Sequence, residues 1–522
     1  QGWDSATRDA FYTTPQGSRM LPYSWFLHLE QASSDRPFRH PQNMRSMGFL
    51  VAEDASPSNP DNLPVGFARD VDLGRGDSFG LTCAACHTGE LEYQGTKVRI
   101  DGGQAFADLE QLQHGILGSL QATLATAKKF ERFSDKVLGT GASDAERAAL
   151  RAEMEGMATW WQGRIARSAG LTAHGPSRID AFTIIGNEVV CALFQNPSNC
   201  RPGVAPTQFP YLWDTPDFEW VQYNSSVHSP LGRNVGQVTG VFAEASFDQF
   251  GLSSSANIDN LHALENWLKA LRSPAWPEEI LGAIDGDLAA QGADLYASNC
   301  AGCHNPSPAR TGPNAFGLTF ARVDFSTPLF PAPDGTIPPG GLLGTDPLAA
   351  YSFATRRADP GPFTAIAQAQ GIIGPDGKAP VAALLAISGG MIIQRFFAEN
   401  GLSDLEKLGY LGYRESRSAS IAQLTTYKAR PLNGVAFTAP YLHNGSVPSM
   451  YELLLPPSQR STAFYVGSKQ YDPDTLGYST DWEQGAVLLD TTQLGNGNGG
   501  HYYGTNLSDG ERMALIEYIK TL

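Results

Sequence analysis

The chain has 522 residues, 42% of them hydrophobic and 17% charged, which is enough apolar material for a large packed core and too much for a disordered chain. Its formal net charge is −16 and it has no clustered run of Lys and Arg, which excludes a nucleic-acid-binding surface. No uninterrupted apolar run of 18 or more residues occurs, so no membrane span is expected, and the polar start at Gln1 is what an exported protein shows once its leader is removed.

In chain order, residues 1–80 are rich in proline and read as a loop-rich wrap with one or two short helices, anchored by the apolar cluster at 23–29. The segment TCAACHTG then supplies Cys83, Cys86 and His87. Apolar spacing of three and four predicts helices over 104–135 and 143–168. Leu109, Leu112, Ile116, Leu117 and Leu120 share a face of the first. Ser143 followed by Glu146 is a capping box at the start of the second. A further helix is expected over 178–194. Cys191 and Cys200 bracket CALFQNPSNC, a loop that an oxidising compartment would close as a disulfide; two buried free thiols are the alternative.

Residues 257–272 form another amphipathic helix, and the SPAWP break after it is the expected domain boundary, giving domains 1–272 and 273–522. A helix over 285–299 runs into NCAGCHNP, which supplies Cys300, Cys303 and His304. Residues 305–385 read as a long loop region, and helices are expected over 400–412 and 508–521. The expected fold is mainly α: two cytochrome c-like haem lobes with long irregular loops and little β-structure.

C-x-x-C-H is the c-type haem attachment signature, so two covalently bound haem c groups are expected. Two thiols one helical turn apart add to the two vinyl groups, and the adjacent His becomes the proximal iron ligand. Zinc would need four ligands per site, and no spare Cys or His sits at the required spacing. The second axial position decides what each haem does: a closed iron moves electrons and an open one can bind a small oxidant. The remaining candidates are His28, His40, His114, His174, His228, His262, His443, His501, Met391 and Met450.

Three further segments carry a family resemblance: DAFYTTPQGSRMLPYSWFLHLEQ (9–31), KARPLNGVAFTAPYLHNGSVPSMYELLLPPSQR (428–460) and GNGNGGHYYGTNLSDGERMALIEYIKTL (495–522). Together with both haem motifs they resemble the bacterial di-haem cytochrome c peroxidase superfamily, most of all its rubber oxygenase and di-haem fatty-acid dioxygenase branch. The resemblance implies that His501 is the second axial ligand of the haem on His304, with His443 structural. It implies a calcium ion held by the Thr438 and Pro440 carbonyls, with Asn234 as a side-chain donor. It implies that the haem on His87 is the reactive one, in a pocket lined by Trp213, Tyr223 and Phe242, with Ala181, Phe182, Ile184 and Ile185 as a further wall. The region after Asn234 is poor in carboxylates; Glu244 is the first, and it does not align to a peroxidase acid–base.

These features lead to an expected periplasmic or secreted haem-dependent dioxygenase. It would oxygenate a C=C bond of an apolar small molecule or polymer with O2, with a small redox protein as a candidate partner. A di-haem peroxidase reducing H2O2 is the first alternative, and a non-catalytic electron carrier with two closed haems the second.

Overall fold

The computed structural model describes every residue except Glu53, Leu73, Arg75, 323–342 and Ser416. The expectation of a mainly α fold is overturned: the chain is 41% helical and 14% strand, an α/β mixture. Among the described residues the strands form seven small antiparallel sheets, one of three strands and six of two. The reason is local. Segments whose Gly and Pro content reads as loop fold back on themselves as short hairpins. Thr88–Tyr93 pairs with Thr96–Asp101 across Gln94 and Gly95, both at positive φ, the geometry of a tight two-residue hairpin turn. This hairpin directly follows His87. The three-stranded sheet, in the order Leu21–Pro22, Ser78–Leu81, Phe67–Asp70, directly precedes Thr82 and the first motif.

The helical expectations meet the structure with shifts. The region 104–135 is two helices, Leu109–Ala125 and Ala127–Leu138, because Thr126 is extended between them. Asp144–Ser168 starts at a capping box in which Ser143 and Glu146 satisfy each other's backbone N–H groups. Ala181–Gly186 continues as a π-helix, Asn187–Leu193. The segment 305–385 is not one long loop: it contains Leu348–Thr355 and Thr364–Ala369, while its 323–342 portion lies outside the described residues.

Two longer helices were also not anticipated, Pro230–Gly240 and Val381–Glu399. The second is long and apolar enough, by length and composition, to cross a membrane. Ser388, Gly389, Gly390, Gln394 and Arg395 interrupt it, so counting unbroken apolar runs passes over it. It packs here against Pro230–Gly240, burying Leu384, Ile392, Ile393 and Phe397 in a core with Leu231, Val235 and Val238.

Two separable haem lobes are not seen. One hydrophobic core joins Phe11, Ala84, Leu91, Leu212 and Trp213 to Tyr296, Val435, Phe437 and Leu515, across the break at 272/273. What recurs is a shorter backbone path. Residues 211–230 and 431–450 run through the same sequence of turns. Each path has a left-handed residue (Asp214, Gly434), a 3-10 turn (Thr215–Asp217, Val435–Phe437) and a narrow bridge (Val221 to Val227, Tyr441 to Val447). Each ends on a serine capping the next helix (Ser229, Ser449). The two paths lie between the two haem motifs' surroundings and define the site.

Candidate haem centre

At the first motif, strand Ser78–Leu81 delivers Thr82, whose hydroxyl accepts from the Ala84 N–H and opens the 3-10 turn Cys83–Ala85. The His87 N–H donates to the Cys83 carbonyl at 3.0 Å, which closes the turn and brings thiols and imidazole together. The buried His87 ring is held by Nδ1, which lies 2.8 Å from the Pro210 carbonyl. As a donor there, Nδ1 carries the proton and leaves Nε2 as the basic nitrogen, the tautomer a metal requires. Burial lowers its pKa to about 4, so the ring is neutral near pH 7.

The second motif repeats this design. Gly286–Asn299 ends with the Cys300 N–H on the Tyr296 carbonyl, and the His304 N–H donates to Cys300 at 2.8 Å. The Tyr296 hydroxyl donates to the His304 carbonyl. His304 Nδ1 lies 2.7 Å from the Arg430 carbonyl. Pro210 and Arg430 stand 220 residues apart, at equivalent places just before the recurring path, so each proximal histidine is oriented by the same backbone carbonyl.

His501 faces His304, with ring centroids 6.3 Å apart. A metal–imidazole bond is about 2.0 Å and the ring adds about 1.1 Å to its centroid, so an iron held between two imidazoles would set the centroids about 6.2 Å apart, close to the separation seen. His501 Nδ1 is buried without a hydrogen-bond partner. Its Gly-rich loop is pinned by Arg460, whose guanidinium donates to the carbonyls of Leu453, Leu455, Asn498, Gly500 and His501. Gly500 is at positive φ, and a Cβ there would lie 2.2 Å from the Gly344 and Thr345 backbone, so only glycine lets the loop approach this closely.

Two cavities surround these groups. One is lined by Cys83, Cys86 and His87; the other by Cys300, Cys303, His304 and His501. The thiols and imidazole at each motif fit a covalently attached haem. The cavities share a wall of Gln208, Phe209, Pro210, Tyr223, Lys428 and Arg430.

The expected pocket residues separate. Tyr223 is in the shared wall. Trp213 lines neither cavity; it is fully buried, donates to the Asn433 carbonyl at 2.8 Å and stacks on Tyr211. Phe242 sits in the N-terminal core against Trp161, with Arg164 over its ring. Ala181, Ile184 and Ile185 line the His87 cavity, while Phe182 turns away and packs on Phe353. The wall is therefore largely aliphatic, with Leu109, Ile179, Val241 and Leu268 completing it, where an aromatic one was expected.

Nor is the cavity free of carboxylates. Glu244 is half-exposed and outside it, but Glu265 lines it, ion-paired with Arg233, and Glu265 Oε1 is buried without a hydrogen-bond partner. Sequence reasoning missed this pair. Its signal was a carboxylate one residue after Leu264, on the buried face of Ile258–Leu268. The proposed calcium donors do not converge: Asn234 lines the first cavity and its amide is engaged with Arg233 and Glu265, whereas Thr438 and Pro440 line the second. Among the described residues no group of three or more His, Cys, Asp or Glu is arranged for a metal ion. His443 is buried against Tyr427, centroids 4.1 Å apart. Cys191 and Cys200 are joined in a disulfide that ties the π-helix to the turn Pro197–Asn199.

Residues 426–465 match the family model "RoxA-like, cytochrome c-like". This segment contains Lys428, Arg430 and the second copy of the recurring path, and a cytochrome c-like segment implies covalently bound haem c and a haem-dependent oxidoreductase. The uncharacterized protein y4iM of Sinorhizobium fredii (strain NBRC 101917 / NGR234) is 23% identical over 394 residues, covering 67% of this chain and 76% of its own. The uncharacterized protein y4iJ of the same organism is 32% identical over 579 aligned residues, covering 100% of this chain and 92% of its own. The chain thus belongs to the family of y4iJ and carries a RoxA-like cytochrome c segment at the wall between its two cavities.

Proposed function

We propose that the protein is an exported di-haem oxidoreductase that oxygenates a C=C bond of an apolar substrate with O2 in the His87 cavity. The observation that carries this reading is an asymmetry. His304 is faced by a second imidazole, whereas the His87 cavity is lined by no other histidine and no methionine among the described residues. A haem c held there by Cys83, Cys86 and His87 would supply the redox chemistry with O2.

The residues do the rest. Cys83 and Cys86 fix the haem edge, and the Pro210 carbonyl holds His87 in its ligand tautomer. Ile179, Ile184, Ile185, Leu109 and Val241 exclude water and bind a hydrocarbon chain. His304 and His501, facing each other, would hold the second haem between two imidazoles, which would suit it to storing an electron. Tyr223, in the wall of both cavities, lies on the path between them. The disulfide and the covalent haem attachment both suit an oxidising compartment.

Glu265 favours a second reading, a peroxidase. A buried carboxylate with one unpartnered oxygen in the His87 cavity is placed to move a proton on a polar oxidant. Carbon monoxide titration of the reduced protein tests the asymmetry: one haem of two should bind it, and binding at neither or both refutes it. Glu265→Gln then separates the readings. Oxygenation of oleate, polyisoprene or a stilbene should fall less than tenfold, whereas H2O2-driven oxidation of a reduced small donor, with a large loss in the variant, supports the peroxidase.

A further inference from the structure

Between the two cavities run two equivalent segments, 208–210 and 428–430. Each ends at the carbonyl that holds a proximal histidine. Their first residues, Gln208 and Lys428, again 220 positions apart, both line both cavities. Both carry donors short of acceptors. Gln208 Nε2 is buried with no hydrogen-bond partner. Lys428 Nζ donates to the Trp220 carbonyl at 3.3 Å, and its charged surroundings are two further cations, Arg430 and Arg233.

Arg430 beside it donates to the Tyr211 and Trp213 carbonyls, and its Nε is buried without a partner. Arg233 has Glu265, but among the described residues Lys428 and Arg430 make no ion pair with a carboxylate. A half-buried ammonium beside two guanidinium groups and without an anion is costly, so a bound group that brings one would relieve the cost. A haem in either cavity would bring two propionate carboxylates and would be bounded by this wall.

We propose that Lys428 is a counter-ion shared by the two sites: its ammonium, with the Gln208 amide beside it, pairs with propionate carboxylates from the haem groups in both cavities and so couples their reduction potentials. The proposal rests on the reading that each C-x-x-C-H motif carries a haem. It makes Lys428 a positioning and tuning residue. A cation near both irons favours the extra electron at each, so removing it should make both haems harder to reduce.

The test is spectroelectrochemistry of the purified holoprotein, with haem counted per chain. Lys428→Met should lower both potentials, each by about tenfold in the reduction equilibrium constant, or about 59 mV for one electron. Lys428→Arg should keep both near wild type. A shift at one haem alone, or at neither, overturns the proposal. Should Lys428→Met lose a haem, Lys428→Arg decides: retention of both haems shows that the charge is what matters and supports the proposal, and loss in both variants overturns it. Fewer than two haems per wild-type chain is a different failure, that of the di-haem reading itself.

Discussion

Replacing Arg460 should release His501. The guanidinium is almost fully buried and donates five hydrogen bonds to carbonyls, two of them, from Asn498 and Gly500 at 2.6 and 2.9 Å, immediately before His501 and one from His501 itself at 3.2 Å. Among the described residues no carboxylate forms an ion pair with it, and burial lowers its pKa to about 10, which leaves it charged at neutral pH. A hydrogen bond to a charged group contributes about 1.5–3 kcal/mol, but five sharing one group do not add, and Arg460→Met also removes the cost of burying the charge. The expected loss is about 3 kcal/mol, concentrated in the 495–501 loop. The assay is urea titration followed in the haem absorbance and, separately, by far-UV circular dichroism. In the variant the low-spin signal should disappear at lower urea than the helical signal. Coincident, unshifted transitions would refute the reasoning, because His501 would then be held by something other than this network.

Other expectations follow from the same geometry. His501→Ala should convert one haem of two to high spin, read by electron paramagnetic resonance, while His443→Phe should leave both haem signals as in wild type. His443 is pushed down to about 3 by burial, so its neutral form is favoured in the fold. The stability this gives is present above about pH 6.5 and is lost as pH falls from there towards 3; His443→Phe should flatten that acid limb of the urea midpoint. Ile185→Trp should fill the His87 cavity and cut oxygenation at least tenfold with both haem spectra intact; unchanged turnover would place the substrate elsewhere.

Legibility tracked how local each cause is. The attachment motifs and the Ser143–Glu146 capping box announce themselves because thiols, imidazole and cap lie within five residues of one another. Leu21–Pro22 pairs with Ser78–Leu81 across more than fifty residues, and no periodicity in either segment specifies that partner. Val381–Glu399 is passed over because Ser388, Gly389, Gly390, Gln394 and Arg395 break its apolar run, which an amphipathic count tolerates and a run count does not. The cavity walls were the least legible. Trp213 and Tyr223 stand ten residues apart on one path, yet the turns between them send the indole into the core and leave the phenol between the cavities. Glu265 and Arg233 meet only because Pro230–Gly240 packs on Ile258–Leu268. The recurring path at 211–230 and 431–450 shows in the sequence only at scattered matches such as Asn224/Asn444, Ser226/Ser446, Val227/Val447 and Ser229/Ser449, while its left-handed positions are filled by Asp214, Gln222 and Ser225 in one copy and Gly434, Leu442 and Gly445 in the other.

The most direct measurement is product analysis under isotopically labelled O2, with an unsaturated apolar substrate and the reduced holoprotein. The account predicts labelled oxygen in a carbonyl or hydroperoxide product, formed without added H2O2 and reduced at least tenfold by Ile185→Trp. Rapid oxidation of a reduced small donor by H2O2, with no label entering any product, would contradict it.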